Sequence, residues 1–143
     1  MGDAQGQGCI EQIVFFLDEN HCGNKHLHAV FQELKIDYEK HTDHFPRGIE
    51  DTVWLPIIAK HGWIVLTADA RIRLNALERQ AIKRNKLRFF YFSRNDFGGA
   101  EMGTILRRAL PRMVELSQTQ APPFAASISR NSDVTLRDTS EDL

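Results

Sequence analysis

At 143 residues the chain is the size of one domain and can bury a single core. Its 42% apolar and 26% charged residues suit an ordinary globular protein, and no apolar run approaches the ~20 residues of a membrane span. The N-terminal stretch has no basic start followed by an apolar core, and two cysteines make no disulfide framework, so a reducing cytoplasm is the expected setting. The net charge of −1 is unevenly spread: residues 1–69 carry eleven acids against five bases, and residues 70–116 carry four against eleven. Such a split suits a protein that holds a cation and attracts a polyanion, although a solvated basic helix face gives the same count.

Residues 1–11 are rich in Gly and Gln and are expected to form a flexible leader. Ile13-Val14-Phe15-Phe16-Leu17 is a short, β-prone apolar run and predicts a strand buried on both faces, ending at Asp18-Glu19-Asn20. Leu27, Val30, Phe31 and Leu34 then form one helical stripe. Residues 36–41 predict a weak edge strand, and Pro46 and Gly48 punctuate a loop.

A helix is expected from about Ile49–Asp51, with Val53, Trp54, Ile57 and Ile58 facing inward, ending at Gly62. Trp63 to Thr67 predicts a second strongly apolar strand running into Asp69. A basic helix over about 71–85 should turn Leu74, Leu77 and Ala81 inward, and residues 88–92 predict another buried strand. Met102, Ile105, Leu106, Ala109 and Met113 mark a last helix, which Pro111 should kink or shorten. From Ser117 onward the composition is rich in Ser, Thr, Pro and Asp and predicts a disordered tail, 117–143, behind a folded domain of residues 12–116.

Strands alternating with helices argue for a three-layer α/β/α fold around a parallel sheet with right-handed crossovers. Putting the most apolar strands in the middle gives a four-stranded sheet in the order 2-1-3-4, with its topological switch between the first and third strands. Ligands in such sheets bind beyond the carboxyl ends of the strands at the switch. Asp18 and Asp69 end those two strands, about one strand spacing (~5 Å) apart at the backbone. Carboxylates that close repel unless a proton or cation intervenes, and Mg²⁺ or Mn²⁺ suits oxygen donors. Asp51 opens the helix leading to the third strand and can reach the same end, though a helix N-terminus favours a carboxylate in its own right.

The segments FFLDEN (15–20), HTDHFPRGIEDTVWL (41–55) and GWIVLTADARIR (62–73) resemble the PIN-like domain family, in the short branch related to VapC-type toxins. The resemblance covers about residues 12–114. It implies a Mg²⁺- or Mn²⁺-dependent endoribonuclease with Asp18, Asp51 and Asp69 as the acidic catalytic and metal-binding residues. It also implies an RNA substrate, a cognate antitoxin protein and a homodimer. Thr67 matches the hydroxyl residue that precedes the third acid, and it joins Asn20, Arg71 and Arg73 as a candidate for contacting substrate. Many members place a fourth acid shortly after the third, where this chain has Arg71-Ile72-Arg73. Glu19, Asp43 or Asp96 would have to complete the metal site, Asp43 being favoured for its loop position between two histidines.

His41 and His44 are three apart, but no third and fourth ligand at zinc spacing accompany them, so exposed loop histidines are expected. Neither strong strand is followed by a glycine-rich phosphate loop. An aspartyl-phosphate receiver also gathers acids around Mg²⁺, but this chain has no lysine after the fourth strand. Seven bases between Arg71 and Arg88 oppose only Glu78; Arg71 and Arg73, extended by Arg79, Lys83, Arg84 and Lys86, could grip RNA phosphates. A PIN-like module that binds RNA or a partner protein without turnover is the alternative to an enzyme.

Overall fold

The computed structural model describes residues 12–68, 76–94 and 96–141. Within them β1 (Val14–Leu17) leads through α1 (Lys25–Leu34) to β2 (Asp37–Lys40), a short 3-10 turn (His41–Asp43), α2 (Asp51–His61) and β3 (Ile64–Thr67). There follow α3 (Ala76–Arg84), β4 (Arg88–Phe92), α4 (Gly99–Thr119), β5 (Phe124–Ile128) and β6 (Val134–Asp138). One sheet runs β2-β1-β3-β4-β5-β6. The first five strands are parallel, and β6 returns antiparallel to β5.

The order 2-1-3-4 expected from the apolar content is therefore the first part of the sheet, and the sheet has six strands, not four. The segment expected to be a disordered tail supplies the other two. Every residue of β5, Phe-Ala-Ala-Ser-Ile, is buried, although the stretch is small-residued and polar-flanked. Small residues suit a strand pressed between layers: Phe124 and Ala126 join the core on the α1/α4 side and Ala125 the core on the other. By covering the edge of β4, β5 explains why RFFYF is buried along its whole length.

The pleat sends alternate residues to the two faces. Phe15 and Leu17 pack with Leu27, Phe31, Leu66, Phe90 and Leu106 beneath α1 and α4. Phe16 turns the other way, with Val65, Phe89 and Tyr91, beneath Trp54, Leu55 and Ile58 of α2 and Ile82 of α3. The next position with the parity of Phe16 is Asp18, and that of Val65 is Thr67. The pleat alone thus carries both polar side chains onto the α2/α3 side as the strands end.

Three helical expectations are corrected. In α2 the buried residues are Trp54, Leu55 and Ile58, whereas Val53 and Ile57 are exposed. In α3 Ala81 and Ile82 face inward while Leu77 is 65% exposed; residues 69–75, including Leu74, lie outside the described residues. Pro111 does not shorten α4, which runs unbroken for 21 residues. Pro111 and Arg107, whose carbonyl loses its partner to the proline, are both exposed, so water can serve that carbonyl.

Candidate functional site

The carboxyl ends of β1 and β3 lie side by side, with Leu17 registered against Leu66. Asp18 leaves β1 there. Its backbone N–H still reaches the Leu66 carbonyl at 3.4 Å, while its own carbonyl accepts from the N–H groups of His21 and Cys22, turning the chain sharply. The residue is only 4% exposed. The hydroxyl of Thr67, itself 1% exposed, donates to Asp18 Oδ2 at 2.9 Å. Thr67, grouped from the sequence with candidates for contacting substrate, is buried here and bonds Asp18.

Asp51 is the first residue of α2, whose N-cap Glu50 makes no side-chain capping bond. The helix crosses back between two parallel strands, so its N-terminus faces the same sheet edge as Asp18. A carboxylate in the first turn is stabilised by the unpaired N–H groups there. One of its oxygens is further fixed by the indole of Trp54, whose Nε1 donates to Asp51 Oδ1 at 2.9 Å. Asp69, Arg71 and Arg73 lie outside the described residues; Ala68, the last described residue before them, is buried.

The candidates for a further acid fall elsewhere. Asp43 is exposed in the 3-10 turn, with Lys40 Nζ 3.9 Å from its carboxylate. Asp96 is clamped by Arg94 at 2.8 Å and is exposed. Glu19 accepts from the Gly48 N–H at 3.0 and 3.2 Å on its two oxygens, with Arg47 at 3.9 Å. That clamp ties the turn after β1 to the loop that precedes Asp51. Asn20 is exposed in the turn after Asp18. Among the described residues no three His, Cys, Asp or Glu side chains group closely enough to hold an ion, so Asp18, Asp51 and Asp43 do not form a ligand set by themselves. Asp18 and Asp51 nevertheless supply the hard oxygen donors that Mg²⁺ or Mn²⁺ prefers, each braced by a neutral hydrogen-bond donor. In donor chemistry these two fit such an ion.

His41 is the residue that sequence reasoning misplaced. Expected in an exposed loop, it is fully buried among Phe16, Phe45 and Trp54, with ring centroids 6.0, 5.4 and 5.5 Å away. Neither ring nitrogen has a hydrogen-bond partner among the described residues. Burial pushes its pKa below the ordinary histidine value; the charges of Glu19 and Asp51 pull it back up, and Arg47 adds to the depression. His44 is the exposed one of the pair and bonds Glu39 Oε1 at 2.8 Å.

Of the basic residues on and after α3, Lys83, Arg84 and Lys86 are exposed and Arg79 is half-buried. Arg88 is not part of that surface, being buried and donating to the Ser117 carbonyl at 3.1 Å. Arg84, Gln80 and Leu77 of α3 face Thr52 and Pro56 of α2 across a groove of about 340 Å³, one residue along the helix from Asp51.

A family model described as a PIN-like domain matches residues 13–94, more than half of the chain. The chain belongs to the PIN-like domain family. The match begins at β1 and ends just after β4, so it takes in Asp18, Asp51, Thr67 and Asp69 and leaves out α4, β5 and β6. No curated protein and no solved structure matches the chain. Membership in this family gives the PIN-like protein a nuclease-type fold, and no helix among the described residues is long and apolar enough to cross a membrane.

Proposed function

We propose that this PIN-like protein is a Mg²⁺- or Mn²⁺-dependent endoribonuclease with Asp18, Asp51 and Asp69 as its acidic ligands. The observation that carries the reading is Asp18: a carboxylate 4% exposed, fixed by a buried hydroxyl, at the switch point of a parallel sheet. Burying a carboxylate is unfavourable unless hydrogen bonds or a positive charge compensate it, and a divalent ion is one such compensating charge that oxygen donors at this place could hold. When bound, such an ion supplies the charge that activates water and stabilises a phosphodiester in displacement.

The protein's own groups do the positioning. Thr67 aims Asp18, and the start of α2 and Trp54 aim Asp51; Asp69 is the second residue after β3 in the sequence. Arg71 and Arg73, immediately after Asp69, would hold RNA phosphates bidentately, and the exposed cations of α3 would extend that grip along the backbone without reading sequence. With bases where a fourth acid is common, one ion is the expected load. A role as the toxin of a toxin–antitoxin pair, a cytoplasmic location, a neutralising antitoxin partner and a homodimer complete the proposal.

The test is cleavage of a single-stranded RNA by purified protein with Mn²⁺. Wild type should cut, EDTA should stop it, and Asp18→Asn or Asp69→Asn should abolish it. Equal cleavage by the substituted proteins would overturn the assignment. RNA binding that survives EDTA and never leads to cleavage would replace it with a binding module.

A further inference from the structure

Trp54 is the largest fully buried side chain in the described core. Its ring is pinned on two sides: it lies 5.3 Å from Phe16 of β1, and the ring of His41 meets it at 88° and 5.5 Å. Little rotameric freedom remains in such packing. Its one polar atom, the indole Nε1, is a donor only, and it donates to Asp51 Oδ1. A buried aromatic clamp therefore ends in a hydrogen bond to a carboxylate at the rim of the site.

We infer that Trp54 is the positioning residue for Asp51, holding its carboxylate in the orientation that receives a divalent cation. This inference rests on the proposed role of Asp51 as a ligand. A carboxylate with two oxygens can accept the indole N–H and still coordinate through its remaining lone pairs. The donor is neutral, which matters: a lysine or arginine in its place would bring a charge that an incoming cation must overcome. Thr67 does the same for Asp18 from the sheet. Both acids are thus aimed by neutral groups embedded in the α2/α3-side core, and the orientation is set before any ion arrives. The competing account is that Asp51 serves Trp54, giving a buried indole the acceptor it requires. The two accounts differ in what happens to cation affinity when the donor is removed.

The experiment is a Mn²⁺ titration of the full chain without RNA, read by electron paramagnetic resonance, for wild type, Trp54→Phe, Asp51→Asn and the double substitution. Phenylalanine keeps an aromatic ring but removes the donor. Removing an outer-shell partner typically weakens metal binding about 10- to 100-fold; Trp54→Phe should raise the Mn²⁺ dissociation constant by about 10-fold or more. In the Asp51→Asn background the same change should have little further effect, because no ligand is left to aim. An unchanged dissociation constant in Trp54→Phe, or equal weakening in both backgrounds, overturns the inference while leaving Asp51 as a ligand. Wild type that binds no Mn²⁺, or Asp51→Asn that binds it as well as wild type, overturns the ligand reading and the inference together. Should Trp54→Phe fail to fold, a second measurement leaves Trp54 in place: the chain has two tryptophans, and Trp63→Phe assigns their indole N–H resonances. Mg²⁺ should shift the Trp54 resonance in wild type and not in Asp51→Asn; a Trp54 resonance that stays fixed while Mg²⁺ binds overturns the inference.

Discussion

His41 gives a sharp prediction because its chemistry and its surroundings disagree. The imidazole is fully buried against three aromatic rings, and its two nitrogens lack hydrogen-bond partners among the described residues. Leaving a buried polar group unsatisfied is unfavourable by about 1–3 kcal/mol, so His41→Phe should stabilise the fold at pH 7.5 by up to that amount, less any strain from the larger ring. The pH dependence adds a second signature. The folded-state pKa is lowered, chiefly by burial, with Glu19 and Asp51 opposing and Arg47 reinforcing the shift. In the unfolded chain the group titrates near its ordinary value of about 6.5. Below that pH the unfolded state binds a proton that the folded state refuses, so wild type loses stability as pH falls, by up to about 1.4 kcal/mol per pH unit until the folded pKa is reached. Above it the histidine contributes no slope. Phenylalanine removes the effect, so the advantage of His41→Phe over wild type should widen between pH 7.5 and pH 5.5. Urea unfolding at several pH values measures both curves, and the other titrating groups cancel in the difference. Parallel curves, or a substituted protein less stable at every pH, would refute the account of a neutral, unpaired imidazole.

Two further outcomes follow from the fold. Thr67→Val keeps the shape but removes a buried hydrogen bond to a carboxylate, worth about 1.5–3 kcal/mol; thermal unfolding should drop by several degrees, Thr67→Ser should recover most of it, and equal melting of all three would contradict the Thr67–Asp18 bond. Deleting residues 121–143 removes β5 and β6 and bares the edge of β4, whose five residues are buried in the intact sheet. The shortened chain should aggregate, which size-exclusion chromatography reads directly, and a soluble monomer would show the C-terminal strands to be dispensable.

What the sequence disclosed and what it hid have physical reasons. The runs ending in Asp18 and in Thr67 were legible because strands buried on both faces must be continuously apolar, and the order of strands placed their ends together. The inward face of α2 was not, because five of the six residues Val53 to Ile58 are apolar by side chain and the sixth is proline, which leaves the helical stripe unphased. Packing of Trp54 on Phe16 decided it. β5 stayed hidden because its burial is achieved with Ala-Ala-Ser, residues whose composition reads as loop. His41 was hidden for a different reason: the enclosing rings come from β1, α2 and its own loop, a meeting that exists only in the folded chain. The braces on Asp18 and Asp51 were likewise tertiary or rotameric facts, although Trp54 stands three residues after Asp51, the spacing at which helix side chains meet.

The central claim is that Asp18, Asp51 and Asp69 converge on one divalent cation. A crystal soaked in Mn²⁺ and measured at the manganese absorption edge tests it most directly. The account predicts one anomalous peak within ligand distance of an Asp18 oxygen, shared with Asp51 and Asp69 and missing in Asp18→Asn. A peak elsewhere, or none at millimolar Mn²⁺, would contradict it.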